Sequence, residues 1–272
     1  MQAIDFRPLF SRFELYQVHL IAFGISWQGV PRIDFTRAHI LTYFSRSWEA
    51  NFMFISDLHI KLIESISFGQ NAYIVNFGHS SDCIIVDAGF EVDKIIRFIK
   101  KKNLNPVAIL VTHGHLDHVA GNGDIKDEWP ECKIYVGKED AKKLVDPKGN
   151  LSANYGVQVV TPVADKTLVD GDIITVAGIP VTAFHLPGHS QGHLIYRIEF
   201  EDGVVLFVGD VIFRDSIGRY DFPDGNYSDL IEGIRDKILT QPIETVLYPG
   251  HGSKTTVGRE LRYNPFLQGD IC

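Results

Sequence analysis

Past residue 60, apolar positions fall into short runs divided by turn-forming residues. Asn71 to Phe77 (NAYIVNF) and Cys83 to Val86 (CIIV) flank Gly78-His79-Ser80-Ser81-Asp82, and each run reads as a strand. Val92, Ile95, Ile96 and Ile99 recur at helical spacing, which predicts an amphipathic helix facing a core. Val107 to Val111 (VAILV) predicts a buried strand that runs straight into Thr112-His113-Gly114-His115.

The second half carries more strand pattern. Val181 to Phe184 is apolar, and Leu194 to Phe200 and Val204 to Val208 flank Glu201-Asp202-Gly203, a hairpin signal. Ser228 is placed to cap a helix with Leu230, Ile231, Ile234 and Ile238 on one face. Thr245 to Tyr248 predicts a last strand, ending in Pro249-Gly250-His251-Gly252. Strands in both halves with helices between them predict an α/β domain of two packed sheets flanked by helices.

Residues 1–59 do not share this rhythm. They are rich in Phe and Arg without a clean period, and are expected to form a poorly ordered N-terminal extension. A lid or an oligomerisation arm is the alternative. Residues 60–272 then form the one domain that carries the strand and helix pattern. Val18 to Trp27 is apolar but too short to span a bilayer, and no basic leader precedes it. No membrane association is expected.

Composition narrows the classes. The 272 residues, 45% hydrophobic, suffice for one sizeable core. A net charge of -8 disfavours gripping a phosphate backbone, so no nucleic-acid partner is expected. Cys83, Cys132 and Cys272 form no C-x-x-C pair, which points to a reduced, cytoplasmic setting and to cysteines that are buried or terminal.

The chemistry concentrates in His113-Gly114-His115-Leu116-Asp117-His118. On an extended loop, side chains two apart point the same way, so His113 and His115 can chelate one ion. If the backbone then turns into a helix, Asp117 and His118 can aim at a second. His189, Asp210 and His251 each follow a predicted strand beside a glycine, so their loops can converge on the first motif. Imidazole with carboxylate suits zinc, iron or manganese.

Together these residues resemble the metallo-β-lactamase superfamily over about Ser65 to Leu267. The resemblance implies an αββα sandwich and two divalent ions, zinc first, with iron or manganese as alternatives. It assigns His113, His115 and His189 to the first metal, and Asp117, His118 and His251 to the second. Asp210 takes the place of the bridging carboxylate.

Finer motifs resemble the short bacterial glyoxalase II-like branch. Asp210-Val211-Ile212-Phe213 leads to Gly218-Arg219, and Tyr248-Pro249-Gly250-His251-Gly252 leads to Thr255-Thr256-Val257-Gly258-Arg259-Glu260 and Asn264-Pro265. That branch implies hydrolysis of a small thioester such as S-lactoylglutathione by a hydroxide shared between metals about 3.5–4 Å apart. Asp117 would orient that hydroxide. Full-length glyoxalase II carries glutathione-binding residues in a C-terminal helical region, and no counterpart follows Asn264-Pro265. Arg219, Lys254 and Arg259 are candidates to hold a substrate carboxylate. His185 and Asp87 are candidate partners of the ligands, and His193 is expected to be structural. A mono-iron persulfide dioxygenase using His113, His189 and Asp210, or a lactone or phosphodiester hydrolase, are the competing readings. Oligomeric state is left open.

Overall fold

A computed structural model describes residues 58–268. The described residues all belong to the unit Phe54–Cys272. The expectation of a poorly ordered extension or lid over the first residues lies outside the described residues, as does Cys272.

The first sheet has strand order β1-β2-β3-β4-β5-β6, built from Leu58–Glu64, Asn71–Phe77, Asp82–Val86, Asn105–Leu110, Lys133–Gly137 and Lys166–Leu168. β1, β2 and β3 pair antiparallel, and β3 to β6 run parallel. β1 begins at Leu58, two residues ahead of the expected boundary at residue 60. The second sheet contains β7 (Ile173–Val176), β8 (Ile179–His185), β9 (Leu194–Phe200), β10 (Gly203–Gly209), β13 (Val246–Pro249) and β14 (Thr255–Thr256). Its order is β14-β13-β10-β9-β8-β7. A two-stranded ribbon, β11 (Ile212–Phe213) with β12 (Ser216–Ile217), follows β10.

The two-residue period of each strand divides its side chains between two layers. Along β2, Tyr73, Val75 and Phe77 join the core with Val181, Tyr196 and Phe207 of the second sheet. The alternate residues Ala72 and Ile74 pack outward with Ile95 and Ile99 of helix α1 (Val92–Lys102). On the far side, Leu206, Val208 and Leu247 meet Leu230 and Ile231 of the later helix (Tyr227–Gly233) and the π-helical turn Ile234–Ile238. Fully enclosed large side chains among them, such as Val75, Ile95, Phe207 and Leu230, each contribute about 1.5–3 kcal/mol. The result is the αββα sandwich implied by the sequence.

The cap of the Tyr227–Gly233 helix differs from expectation. Asn226, not Ser228, is the cap: its backbone is extended (φ -154) and its side chain accepts from the Asp229 amide. Ser228 lies inside the first turn, where a hydroxyl cannot serve that role.

Strand direction positions the site. β3 and β4 are parallel, as are β10 and β13, and β8 runs with β10 because both oppose β9. The turns after β8, β10 and β13 therefore emerge at one edge of the second sheet, as those after β3 and β4 do for the first.

Candidate metal centre

The seven side chains singled out from the sequence converge at that shared edge. His113 and His115 follow β4 in an extended segment, with His115 at φ -77, ψ 152 immediately before the short helix Leu116–Val119. That helix turns Asp117 and His118 toward a neighbouring position. His189 Nε2 lies 3.2 Å from His113 Nε2 and 3.0 Å from His115 Nδ1, so three ring nitrogens face one point. Asp210 spans two pockets. Its Oδ1 is 3.4 Å from His118 Nε2, and its Oδ2 is 3.7 Å from His189 Nε2 and 3.4 Å from His251 Nε2. His251 Nε2 also lies 3.2 Å from Asp117 Oδ2. Three close donor groups result: His113, His115 and His189; His113, His118 and Asp210; Asp117, His118 and His251.

Hydrogen bonds on the outer ring edges set which nitrogens point inward. His189 Nδ1 is 2.9 Å from the Arg219 carbonyl, which only accepts, so neutral His189 presents a lone pair at Nε2. Thr112 donates its hydroxyl to Asp87 Oδ2 at 2.8 Å and can accept from His113 Nδ1 at 3.1 Å. Asp87 Oδ2 also accepts from His118 Nδ1 at 2.9 Å. Asp87 sits at φ 55, a conformation uncommon for a non-glycine residue and characteristic of strained functional positions. Its carboxylate thus orients one histidine of each pocket, the outer support that metal ligands require. His185, the other candidate for this role, instead meets the Gln191 carbonyl at 2.7 Å.

Fit to a metal follows from atoms left unpaired. His118 Nε2 and Asp210 Oδ1 are buried and lack any hydrogen bond. Such groups cost free energy unless something coordinates them. Backbone at Gly250 also passes so close to the Asp210 carboxylate that a Cβ there would lie 2.7 Å from His118 Cε1. The nitrogen-rich first group and the mixed nitrogen and oxygen second group suit two adjacent divalent ions.

Electrostatics separates the two pockets. Burial, reinforced by neighbouring imidazoles, holds His113 and His115 well below the usual histidine range. Burial works against the charged form of His118 too, but the carboxylates of Asp210, Asp117 and Asp87 outweigh it and raise its pKa well above that range. Burial likewise opposes the charge on His251, yet its hydrogen bonds to Asp117 and Asp210 push it up to about 10. Burial also opposes the Asp117 charge, but His118 and His251 hold its carboxyl below the ordinary carboxylate value.

The centre opens into a cavity of ≈ 280 Å³ walled by Phe68, Leu151, Tyr155, Phe213 and Phe222, with Arg219 among the lining. The Phe222 ring stands edge-on to His115 and His189, at centroid distances of 4.8 and 5.2 Å. Of the three proposed carboxylate holders, only Arg219 reaches this cavity. It is paired with Asp221 (Nε to Oδ1 2.9 Å) and lies over the Phe222 ring. Lys254 and Arg259 are not among its lining residues. Lys254 lies over the Tyr248 ring, and Arg259 grips Asp215, Nη2 to Oδ2 3.0 Å. A larger cleft of ≈ 420 Å³ beside β1 and β2 contains none of the predicted residues.

Comparison with known proteins agrees with this geometry. The profile of the metallo-beta-lactamase superfamily matches residues 67–251. The chain belongs to the metallo-β-lactamase superfamily.

Within the superfamily, it is 36% identical over 216 residues to the hydroxyacylglutathione hydrolase GloC of Haemophilus influenzae, covering 77% of this chain and 98% of GloC. A crystal structure of BLEG-1 B3 metallo-beta-lactamase aligns at TM-score 0.73 and 34% identity, over 78% of this chain and all of that one. TTHA1623, crystallised in a di-iron-bound form, aligns at TM-score 0.66 and 32% identity, over 76% of this chain and all of that one. As a superfamily member with this His/Asp cluster, the protein is a metallo-hydrolase. Among the described residues, no helix is long and apolar enough to cross a membrane.

Two further buried residues support the centre, and of these Asp140 had no assigned role from sequence. Expected to be structural, His193 stacks on His113 at 4.9 Å, and its Nε2 accepts from the Asp210 amide at 3.1 Å. It therefore supports two of the ligand positions. Asp140, 26 residues beyond Gly114, binds the Gly114 amide at 2.8 Å. Its only sequence-level signal is an acidic residue soon after an apolar strand.

Proposed function

We propose that the protein hydrolyses a small thioester, S-lactoylglutathione or a related 2-hydroxyacyl thioester, at a two-metal centre in the cytoplasm. The observation that carries this reading is the Asp210 carboxylate, whose two oxygens face different histidines. A single-ion centre has no use for the second set of Asp117, His118 and His251. His113, His115 and His189 would hold the first ion, that set the second, and Asp210 both.

Bound there, two divalent ions supply a water nucleophile at neutral pH and stabilise charge on a carbonyl oxygen. The chain's own groups do the rest. Asp117, held in its ionised form, accepts a hydrogen bond from water and sets its direction. Phe222 and Phe68 flank the approach, Phe68 through a stack on Phe90 at 4.9 Å, and limit bulk water around the acyl group. A thiol with a pKa near ~8.5 departs as thiolate, so no acid is required on the leaving side. The similarity to GloC supports the choice of thioester over lactone or phosphodiester.

The test pairs elemental analysis with S-lactoylglutathione hydrolysis before and after chelation. About two ions per chain and chelator-sensitive turnover, lost in His115→Ala and Asp210→Ala, is the expected outcome. Retained turnover in both variants overturns the site. One iron per chain with oxygen uptake on a persulfide would instead assign the dioxygenase. The similarity to BLEG-1 makes lactam cleavage the second reading, and a chromogenic cephalosporin in the same assay distinguishes it.

A further inference from the structure

We propose that Asp140, Lys143 and Asp224 form a positioning relay, one that sets His115 and His189 toward the first metal and fastens the Phe222 loop over it. The proposal rests on the two-metal reading above. Asp140 is fully buried. Its Oδ2 accepts from the Gly114 amide at 2.8 Å and from the Ser190 hydroxyl at 2.7 Å, and its Oδ1 accepts from the Gly192 amide at 2.8 Å. Gly114 stands between His113 and His115, and Ser190 follows His189 directly. One carboxylate therefore sets the distance between the two segments that carry the first donor group.

Lys143 extends the connection. Its Nζ lies 3.1 Å from Asp140 Oδ1 and 2.6 Å from Asp224 Oδ2, and Asp224 also accepts from the Gln191 amide at 3.0 Å. Asp224 belongs to the same 218–226 loop as Arg219, whose carbonyl orients His189, and Phe222, which walls the cavity. The backbone is fitted around this chain of charges. A Cβ at Gly114 would lie 2.7 Å from Lys143 Cβ, and one at Gly192 would lie 2.8 Å from Asp140 Oδ1.

Stability does not account for such a device. Lys143 is 4% exposed and is the only buried lysine among the described residues. Removing an ammonium from water is costly, and apolar replacements of buried ion pairs are often as stable or more so. What an apolar trio cannot do is aim donors from two loops at one acceptor. None of the three residues is among the donor groups, so their role is positioning.

The experiment uses the full chain with Asp140→Asn, Lys143→Met, Lys143→Arg and Asp224→Asn, each titrated with zinc against a competing chelator. Cobalt absorption follows the two sites separately. Asp140→Asn is expected to weaken the first site about 10–100-fold and leave the second near wild type. Asp224→Asn should keep both ions and raise KM with little change in kcat, because only the loop is released. Lys143→Met should show both effects, and Lys143→Arg should recover part of each. Asp224 is 30% exposed at its side chain, so its KM arm stands even if Asp140→Asn fails to fold. Equal weakening of both sites in Asp140→Asn, or an unchanged KM in Asp224→Asn, overturns the relay. Wild-type protein that binds two ions but cleaves no thioester would overturn the proposed substrate and leave the affinity arm intact.

Discussion

Asp87 Oδ2 and His118 Nδ1 meet at 2.9 Å in full enclosure, and the same oxygen takes the Thr112 hydroxyl that faces His113. One carboxylate therefore acts on both pockets without being a donor to either. Asp87→Ala is expected to lower metal affinity at both sites by about 10–100-fold, with kcat/KM falling in parallel. Chelator competition checks it. Loss at one site alone would mean that Thr112 does not transmit the constraint to His113.

Metal uptake should release protons. In the metal-free protein His251 is raised to about 10 and His118 lies well above the usual range, so both carry a proton near neutrality. A ligating imidazole must be neutral. Zinc titration by calorimetry in buffers of different ionisation heat is therefore expected to show release on the order of one to two protons per chain. The sign for the metal-free fold is that of any raised histidine. The stabilisation from His251 is complete below an unfolded pKa of about 6.5 and disappears as pH rises through its folded value. Absence of proton release would show that these imidazoles are already neutral.

Gly250→Ala tests how tightly the bridging carboxylate is enclosed. The added methyl would press on the Asp210 carboxylate and on His118 Cε1, while Gly250 itself is anchored by backbone bonds to Gly209 and Asn71. Neither neighbour can retreat without leaving a donor position. The variant should bind one ion per chain in place of two and lose most turnover, with metal-free stability lowered by about 1–3 kcal/mol from overpacking. Full metal content with normal activity would show that the backbone there yields.

Chelation should destabilise the domain. Zinc at 1,000 times its Kd stabilises the native state by about 4 kcal/mol, and removing it withdraws that contribution. A melting temperature that falls on chelation and recovers with added zinc is the expected result. A melt indifferent to chelator would place the ions outside this fold's thermodynamics.

Much of the site was legible because each donor segment follows a strand, and strand ends are marked by apolar runs and glycines. Val107 to Val111 and the His113 motif form one continuous signal, and Gly188, Gly209 and Gly250 mark the other three donors. The outer support was less legible. Asp87 lay close enough to a strand end to be considered, whereas Asp140 and Lys143 gain their roles from partners far along the chain, as Lys143 does from Asp224. The placement of surface cations was illegible for a similar reason. Arg259 lies in the segment that resembles the hydrolase pattern, but Asp215, 44 residues away, holds it outside the cavity. The cap at Asn226 shows how a local signal gives the residue type but not the register. Asn226 and Ser228 both satisfy the preference, and only the extended backbone at Asn226 selects between them.

The placement of the donors after β4, β8, β10 and β13 has a consequence for how such a protein can change. Every donor sits on a segment that follows a strand, whereas three walls of the cavity (Phe68, Tyr155 and Phe222) lie outside the two sheets. Loops can be lengthened, shortened or exchanged without shifting any strand's register, because pairing is complete before each loop begins. Selectivity and reactivity thus meet in the 218–226 loop, which walls the cavity with Phe222 and orients His189 through the Arg219 carbonyl, whereas the segments that carry Phe68 and Tyr155 can be rewritten while the strands and their donors stay as they are.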